Sequence, residues 1–372
     1  MKDKIAFIRK GTVPLASAHV AQALQESFPH LTVEVIDIKQ WLTGRPEIVV
    51  WNTLYTLKEY GGEIVRGRKK ARDCFFRTTY LFQTIKTLMG QKLASPDYLF
   101  SFQMQSLFDA SVPGLPHFIY TDHTNLANNL YTIQDRTKLY SPAWIDLERT
   151  IYQNACHIFT RSTNIIRSLI EQYRCDPQKV SCAYAGSNIP FHNHTLENDS
   201  YQNKNILFVG IDWQRKGGPE LLAAFRQVLT VHPDAHLTIV GCSPQVNTPN
   251  CEVIGRVPLN EISYYYRRAS IFCLPTKLEP FGIVFIEALS YQLPVVGTCI
   301  GAIPDFISQG ENGYMVQPGQ VSELAQALIN LLDDPEKCRR FGERGRVIAQ
   351  DKYTWHKVGS RMKEGILAKG VT

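Results

Sequence analysis

At 372 residues the chain is too long for one ordinary hydrophobic core, and its length predicts two domains. A composition of 44% hydrophobic and 20% charged residues is that of a globular protein and excludes disordered or fibrous classes. The formal net charge of +6 favours anionic ligands, such as nucleotide diphosphates or an acidic lipid surface, without demanding nucleic acid. Nine scattered cysteines with no C-x-x-C pair suggest neither a disulfide framework nor a zinc site and fit a reducing cytoplasm. No run approaches the ~20 apolar residues of a membrane helix, so a soluble or peripheral protein is expected.

In chain order the elements alternate. A strand over Lys4 to Arg9 leads through a turn at Gly11 to an Ala-rich helix from about Leu15 to Ser27. Further strands are predicted at Leu31 to Ile38, Glu47 to Trp51, Asp97 to Gln103, His117 to Thr121, His157 to Thr160 and Val180 to Tyr184, with helices between most of them. This pattern predicts a first parallel sheet. The polar stretch from Asn188 to Asn203 has no periodicity and reads as a linker; its two sequons, at Asn193 and Asn198, read as chance. A second series follows, with strands at Ile206 to Val209, Leu237 to Val240, Ile271 to Leu274, Pro294 to Val296 and Tyr314 to Val316. Helical spacing marks Leu221 to Leu229 and Leu324 to Leu332, and Trp355 to Leu367 predicts one more helix.

Two turns of the second series carry the chemistry. After Ile271 to Leu274, the residues Thr276-Lys-Leu-Glu279-Pro280-Phe281-Gly282-Ile283 read as a binding turn with a helix starting near Phe281. The first amides of that helix suit a phosphate. Glu279 and Glu287 would repel a phosphate, so they suit the hydroxyls of a nucleotide sugar. The other turn is Gly210-Ile-Asp212-Trp-Gln-Arg215-Lys216-Gly-Gly218, at a strand carboxyl end, where its glycines let backbone approach a ligand and its cations supply charge.

These residues resemble the signature of family-four retaining glycosyltransferases, the glycosyltransferase group 1 enzymes. Glu279 and Glu287 stand in the E-x7-E arrangement, and Gly210 to Gly217 resembles the donor-phosphate loop. Gly301-Ala-Ile-Pro-Asp305, Asn312-Gly-Tyr-Met-Val316 and Thr354-Trp355 follow in the family's order. The resemblance implies an α/β GT-B fold of two Rossmann-like domains facing across a cleft: residues 1–190 for the acceptor, joined by a returning C-terminal helix at 355–370, and residues 204–354 for the donor. It further implies transfer of a hexosyl group from a nucleotide-diphosphate sugar, such as a UDP sugar, to an acceptor hydroxyl with retention.

In that frame His123, Arg215, Lys216 and Glu279 are the expected catalytic residues. Gly11, Gly210, Arg215, Lys216, Glu279, Pro280, Phe281, Gly282, Ile283 and Glu287 are the expected donor contacts. Gly11 stands where the family has a glycine-rich loop, although Lys10-Gly11-Thr-Val-Pro14 holds only one Gly. The family's Arg after the loop glycine is replaced by Ile211 and Asp212, which leaves Arg215 to supply the missing cation. The resemblance implies a front-face reaction in which the leaving phosphate takes the acceptor proton. No cofactor or metal is expected, and His192 and His194 read as a surface pair. A nicotinamide oxidoreductase would need a G-x-G-x-x-G fingerprint after an early strand, which is missing; a nucleotide-sugar-binding protein without turnover stays open. The basic, aromatic run from Arg66 to Arg77, continued by Tyr80 to Leu88, predicts either an amphipathic helix against an anionic inner membrane surface or a core helix with a solvated basic face. Nucleic acid is not expected, since no recognition motif accompanies the charge.

Overall fold

The computed structural model describes residues 3–11, 16–131, 139–189 and 200–371. The chain divides into two compact units: Met1–Leu130, Gln134–Ala185 and Trp355–Thr372 form the first, and Tyr131–Ile133 and Gly186–Thr354 the second.

The first unit is built on six parallel strands, β1 (Lys4–Arg9), β2 (Thr32–Asp37), β3 (Tyr98–Met104), β4 (His117–Thr121), β5 (His157–Thr160) and β6 (Val180–Cys182), in the order β2-β1-β3-β4-β5-β6. Strands covered on both faces read as unbroken apolar runs, as Ile5 to Ile8 does, each fully buried. On one face Ile5, Phe7, Phe100, Phe102 and Phe118 pack with Val20 and Leu24 of the Ala16–Ser27 helix and with Val358, Met362 and Ile366 of the Trp355–Leu367 helix.

The second unit repeats the plan with β7 (Asn205–Val209), β8 (His236–Val240), β9 (Cys251–Gly255), β10 (Ile271–Leu274), β11 (Val295–Thr298) and β12 (Gly313–Val316), all parallel, in the order β12-β11-β10-β7-β8-β9. The order reverses between β1 and β3 in one sheet and between β7 and β10 in the other. In open α/β sheets that reversal opens a crevice beyond the strand carboxyl ends. Among the described residues no helix is long and apolar enough to cross a membrane.

Three expectations are corrected. Glu47 to Trp51 is not a strand but lies in the Pro46–Val65 helix. Pro46 fits the first helical turn, and the buried positions Ile48, Asn52, Thr56 and Tyr60 recur every four residues. Three of those four are polar, which hides the helical period from a hydrophobic pattern. Second, the basic aromatic run is not one amphipathic helix. Ala71–Cys74 and Phe75–Arg77 form two short turns, and the Thr79–Lys92 helix begins after Thr78, whose side chain caps it by accepting from the Leu81 amide at 3.1 Å. Its apolar residues Leu81, Phe82, Ile85 and Met89 are buried, and Phe75, Phe76, Tyr80 and Leu88 pack on the core. Third, the strand Cys251–Gly255 and the Pro335–Lys352 helix were not anticipated. Of the predicted linker, Ser200–Asn203 forms a turn with Tyr201 buried, while His192, His194, Asn193 and Asn198 lie outside the described residues, as do Thr12 to Leu15.

Polar residues seat the Pro46–Val65 helix. Asn52 donates through Nδ2 to the Phe75 carbonyl at 2.7 Å and accepts from the Thr78 hydroxyl, while the Tyr60 hydroxyl donates to the Arg77 carbonyl at 2.6 Å. Asn52→Ala removes both of its bonds and strands buried partners, so it should lower unfolding free energy by about 2–3 kcal/mol in urea denaturation.

Candidate functional site

The second unit's reversal point is filled by the loops that follow β7 and β10. They fit through backbone contact that only glycine permits. At Gly217 (φ 76°) a Cβ would lie 1.9 Å from the Pro275 carbonyl oxygen, and at Gly218 it would meet the Trp213 ring at 2.1 Å. The loops are then laced together: the Arg215 carbonyl accepts from the Lys277 amide at 2.9 Å and from the Thr276 hydroxyl at 3.2 Å. Replacing Gly217 with Ala forces a side chain into backbone and a left-handed conformation that alone costs about 1–2 kcal/mol. Thermal unfolding of Gly217→Ala should therefore show a clear loss of stability.

Within this frame Lys216 and Glu279 form a buried ion pair, Nζ to Oε2. Arg215 lies beside it. Its guanidinium donates to the Leu278 carbonyl at 2.9 Å and stands 3.4 Å from the Asp212 carboxylate, which also accepts from the Arg215 amide at 3.1 Å. Asp212 thus holds the turn that presents Arg215. Gly210 donates its amide to the Val240 carbonyl at 2.9 Å, fixing the loop to β8.

The helix expected from Phe281 begins two residues later, at Ile283–Ser290, because Gly282 is its cap in the left-handed region (φ 93°). Phe281 is buried edge-on against Phe306. Pro280 and Ile283, on either side, are half-buried. Glu279 is further fixed by its carbonyl, which accepts from the Ala302 amide at 3.3 Å. A Cβ on Gly301 would fall 2.1 Å from that same oxygen. Asn312 is buried and bridges Phe306 and Ser308 at 2.8 and 2.7 Å.

Glu287 is buried and accepts from the Tyr266 hydroxyl at 2.9 Å. Burial raises its carboxyl pKa to about 7, against the lowering effect of that hydrogen bond. A pKa raised on folding adds stability that is complete below the unfolded value of 4.5 and is lost as pH rises through about 7. Glu287→Gln, a mimic of the protonated side chain, should therefore gain stability relative to the parent between pH 5 and pH 8, on the order of 2 kcal/mol. Chemical denaturation at both pH values measures the difference.

Gly11 and His123 belong to the first unit, at the carboxyl ends of β1 and β4. Gly11 (φ 71°) donates its amide to Asp37 Oδ1 at 2.8 Å. The His123 backbone is held by Thr121 and Ser106, whose hydroxyls donate to its carbonyl at 2.8 and 3.3 Å. Its Nδ1 is buried with no hydrogen-bond partner, and burial lowers its pKa, which favours a neutral ring. The structure therefore brings together Gly210, Arg215, Lys216, Glu279, Pro280, Phe281, Gly282 and Ile283, with Glu287 one turn further along the same helix. Gly11 and His123 lie in the other unit, after two strands that are not neighbours in its sheet.

Sequence reasoning missed Tyr266, which holds Glu287, and placed Thr276 in the binding turn without its role of holding the β10 loop. Tyr266 sits in the run Tyr264-Tyr265-Tyr266, and only its burial singles it out. Also missed was Glu148, buried in the first unit, which accepts from the Asn125 amide at 3.0 Å and from the Tyr173 and Tyr152 hydroxyls, and so braces the loop after His123. Among the described residues no three His, Cys, Asp or Glu side chains group as metal ligands.

Two units, each a six-stranded parallel sheet with helices, are the GT-B class of fold, and solved structures share it across the whole chain. Sucrose-phosphate synthase from Thermosynechococcus elongatus superposes with a TM-score of 0.71 at 17% identity, covering 99% of both chains. The Anabaena protein HepE, solved in complex with UDP and glucose, gives 0.65 at 15% identity over 98% of this chain and 99% of its own. Residues 197–347 match the family model for glycosyl transferases group 1. An uncharacterized glycosyltransferase of Haemophilus influenzae is 29% identical over 160 residues, 40% of this chain and 45% of its own length. A GDP-mannose-dependent monoacylated alpha-(1-6)-phosphatidylinositol monomannoside mannosyltransferase of Corynebacterium glutamicum is 30% identical over 164 residues, 40% of this chain and 43% of its own. The chain spans about half the length of the curated relatives it matches.

Proposed function

We propose that the protein transfers a hexosyl group from a nucleotide-diphosphate sugar to an acceptor hydroxyl with retention at the anomeric carbon. The observation that carries this reading is the buried Lys216–Glu279 pair at the β7/β10 reversal point. Desolvating two charges costs more than apolar packing would, so a pair at strand carboxyl ends argues for a ligand and not for stability. Lys216 and Arg215 face the donor diphosphate, with the Phe281, Gly282 and Ile283 amides completing the cradle. Glu279 accepts from sugar hydroxyls and Glu287 from the ribose.

As the bond from the anomeric carbon to the diphosphate oxygen breaks, negative charge grows on the leaving phosphate, and the two cations stabilise it where it develops. The acceptor oxygen bonds to the anomeric carbon on the same face, and the departing phosphate takes its proton. His123, neutral and held by its backbone, lines the acceptor side, and Gly11 lets backbone approach there. HepE, solved with UDP and glucose, makes uridine nucleotides the first donors to test. The acceptors named for relatives, among them D-inositol 3-phosphate and a phosphatidylinositol mannoside, differ too widely to transfer one to this chain. Nine free cysteines support placement in a reducing cytoplasm.

The test is a thermal-shift panel of nucleoside diphosphates and nucleotide sugars, followed by turnover with the donor it selects. Arg215 is a third exposed, so Arg215→Lys should leave the melting temperature nearly unchanged while turnover falls about tenfold or more. Lys216→Ala should lose donor binding and also stability, because it strands Glu279 as a buried charge. Unchanged donor affinity and turnover in Arg215→Ala would remove the diphosphate from this loop.

A further inference from the structure

The Pro46–Val65 helix is amphipathic in the inverse sense. Its buried face is dominated by polar residues: Asn52 and Tyr60 are tied into the fold by hydrogen bonds, and the Thr56 hydroxyl donates back to the Asn52 carbonyl. Its outward side carries a row of apolar residues: Val50, Trp51, Leu54, Leu57 and Val65 are each more than half exposed, with the charged Glu47 and Lys58 exposed beside them. Val50, Leu54, Leu57, Gly61 and Val65 follow one another at steps of four, three, four and four residues, so they form a single stripe along the helix. The stripe is open at Gly61, where a Cβ would meet no atom within 4 Å. Folding gains nothing from an exposed stripe, and single exposed apolar residues are common where a continuous row of this length is not.

Charge identifies the occupant. The helix runs into Arg66-Gly-Arg68-Lys69-Lys70-Ala-Arg72, of which Arg66, Arg68 and Arg72 are exposed. The acids close by are committed elsewhere or outnumbered: Glu59 accepts from the Thr79 amide and hydroxyl at 3.1 and 2.6 Å, Glu63 lies between Arg66 and Arg68, and Asp73 faces Arg72 at 3.5 Å. We propose that this helix lies on an anionic lipid surface, its Val50–Val65 stripe entering the boundary of headgroups and acyl chains while the arginines at its end meet lipid phosphates. The helix does not cross the bilayer, and it is anchored from behind by its polar face. This relocates the lipid contact from the aromatic residues after Arg72, which the core has taken, to the helix before them. The inference does not depend on the transferase reading, because docking needs neither donor nor acceptor.

Cosedimentation of the full chain with vesicles tests it, using mixed phosphatidylcholine and phosphatidylglycerol against pure phosphatidylcholine. The parent should bind the mixed vesicles at low salt and lose most of that binding at about 1 M salt, where the Debye length is ~3 Å. The combined variant Val50→Ser, Leu54→Ser, Leu57→Ser should bind about tenfold or more weakly while melting close to the parent, since its changes touch no buried contact. Arg66→Ala, Arg68→Ala and Arg72→Ala together should weaken binding to mixed vesicles and flatten the salt dependence. Light scattering after size exclusion supplies the opposing outcome. A parent that dimerises while the serine variant is monomeric assigns the stripe to a second copy of the chain and overturns the proposal, as does equal vesicle binding by the parent and the serine variant, or none by either.

Discussion

A lysine ammonium withdrawn from water needs a carboxylate beside it, and a buried carboxylate needs a cation. Lys216 and Glu279 meet that mutual demand from two different loops, and the loops can meet only because Gly217 has no side chain to strike the Pro275 carbonyl. The rest of the second unit's site inherits its position from this junction. Arg215 is carried next to Lys216 and steadied by Asp212, while Glu279 is pinned from its other side by the Gly301–Ala302 backbone. The constellation is held by the chain's own contacts, Lys216 by Glu279 and Arg215 by Asp212 and the Leu278 carbonyl.

The two carboxylates of the E-x7-E arrangement illustrate how burial divides alike residues. Glu279 has a cation and Glu287 has a phenol, Tyr266. The phenol stabilises a carboxylate less than a cation does, so desolvation dominates at Glu287 and its pKa rises. One carboxylate is therefore held as part of an ion pair, while the other sits near its titration point at neutral pH.

Much of the fold was legible in the chain because parallel strands buried on both faces announce themselves as apolar runs: β4, β5 and β10 fall where the sequence predicts them. The loops after β7 and β10 were legible for a different reason, since glycine, proline and charge punctuate them. The failures have separate causes. Ile48-Val49-Val50-Trp51 looks like a strand because β-branched residues favour strands, yet the polar residues at 52, 56 and 60 face inward, an inversion that hydrophobic periodicity cannot detect. Cys251–Gly255 carries a Glu and is only partly buried, so no continuous apolar run marked it. Tyr266 escaped notice because its work is to hold Glu287, a neighbour distant in sequence.

The division of the chain has a consequence for biosynthesis. The second unit is almost continuous, spanning Gly186–Thr354, but the first is completed by Trp355–Thr372, which is made only after the whole of the second unit. Val358, Met362 and Ile366 join a core whose other members, Ile5 and Phe7 among them, were made hundreds of residues earlier. Until they arrive, one face of the first sheet lacks its closing helix and presents bare apolar surface. The unit begun first thus cannot finish folding until the second has been made, and in that interval its open sheet face needs shielding from aggregation.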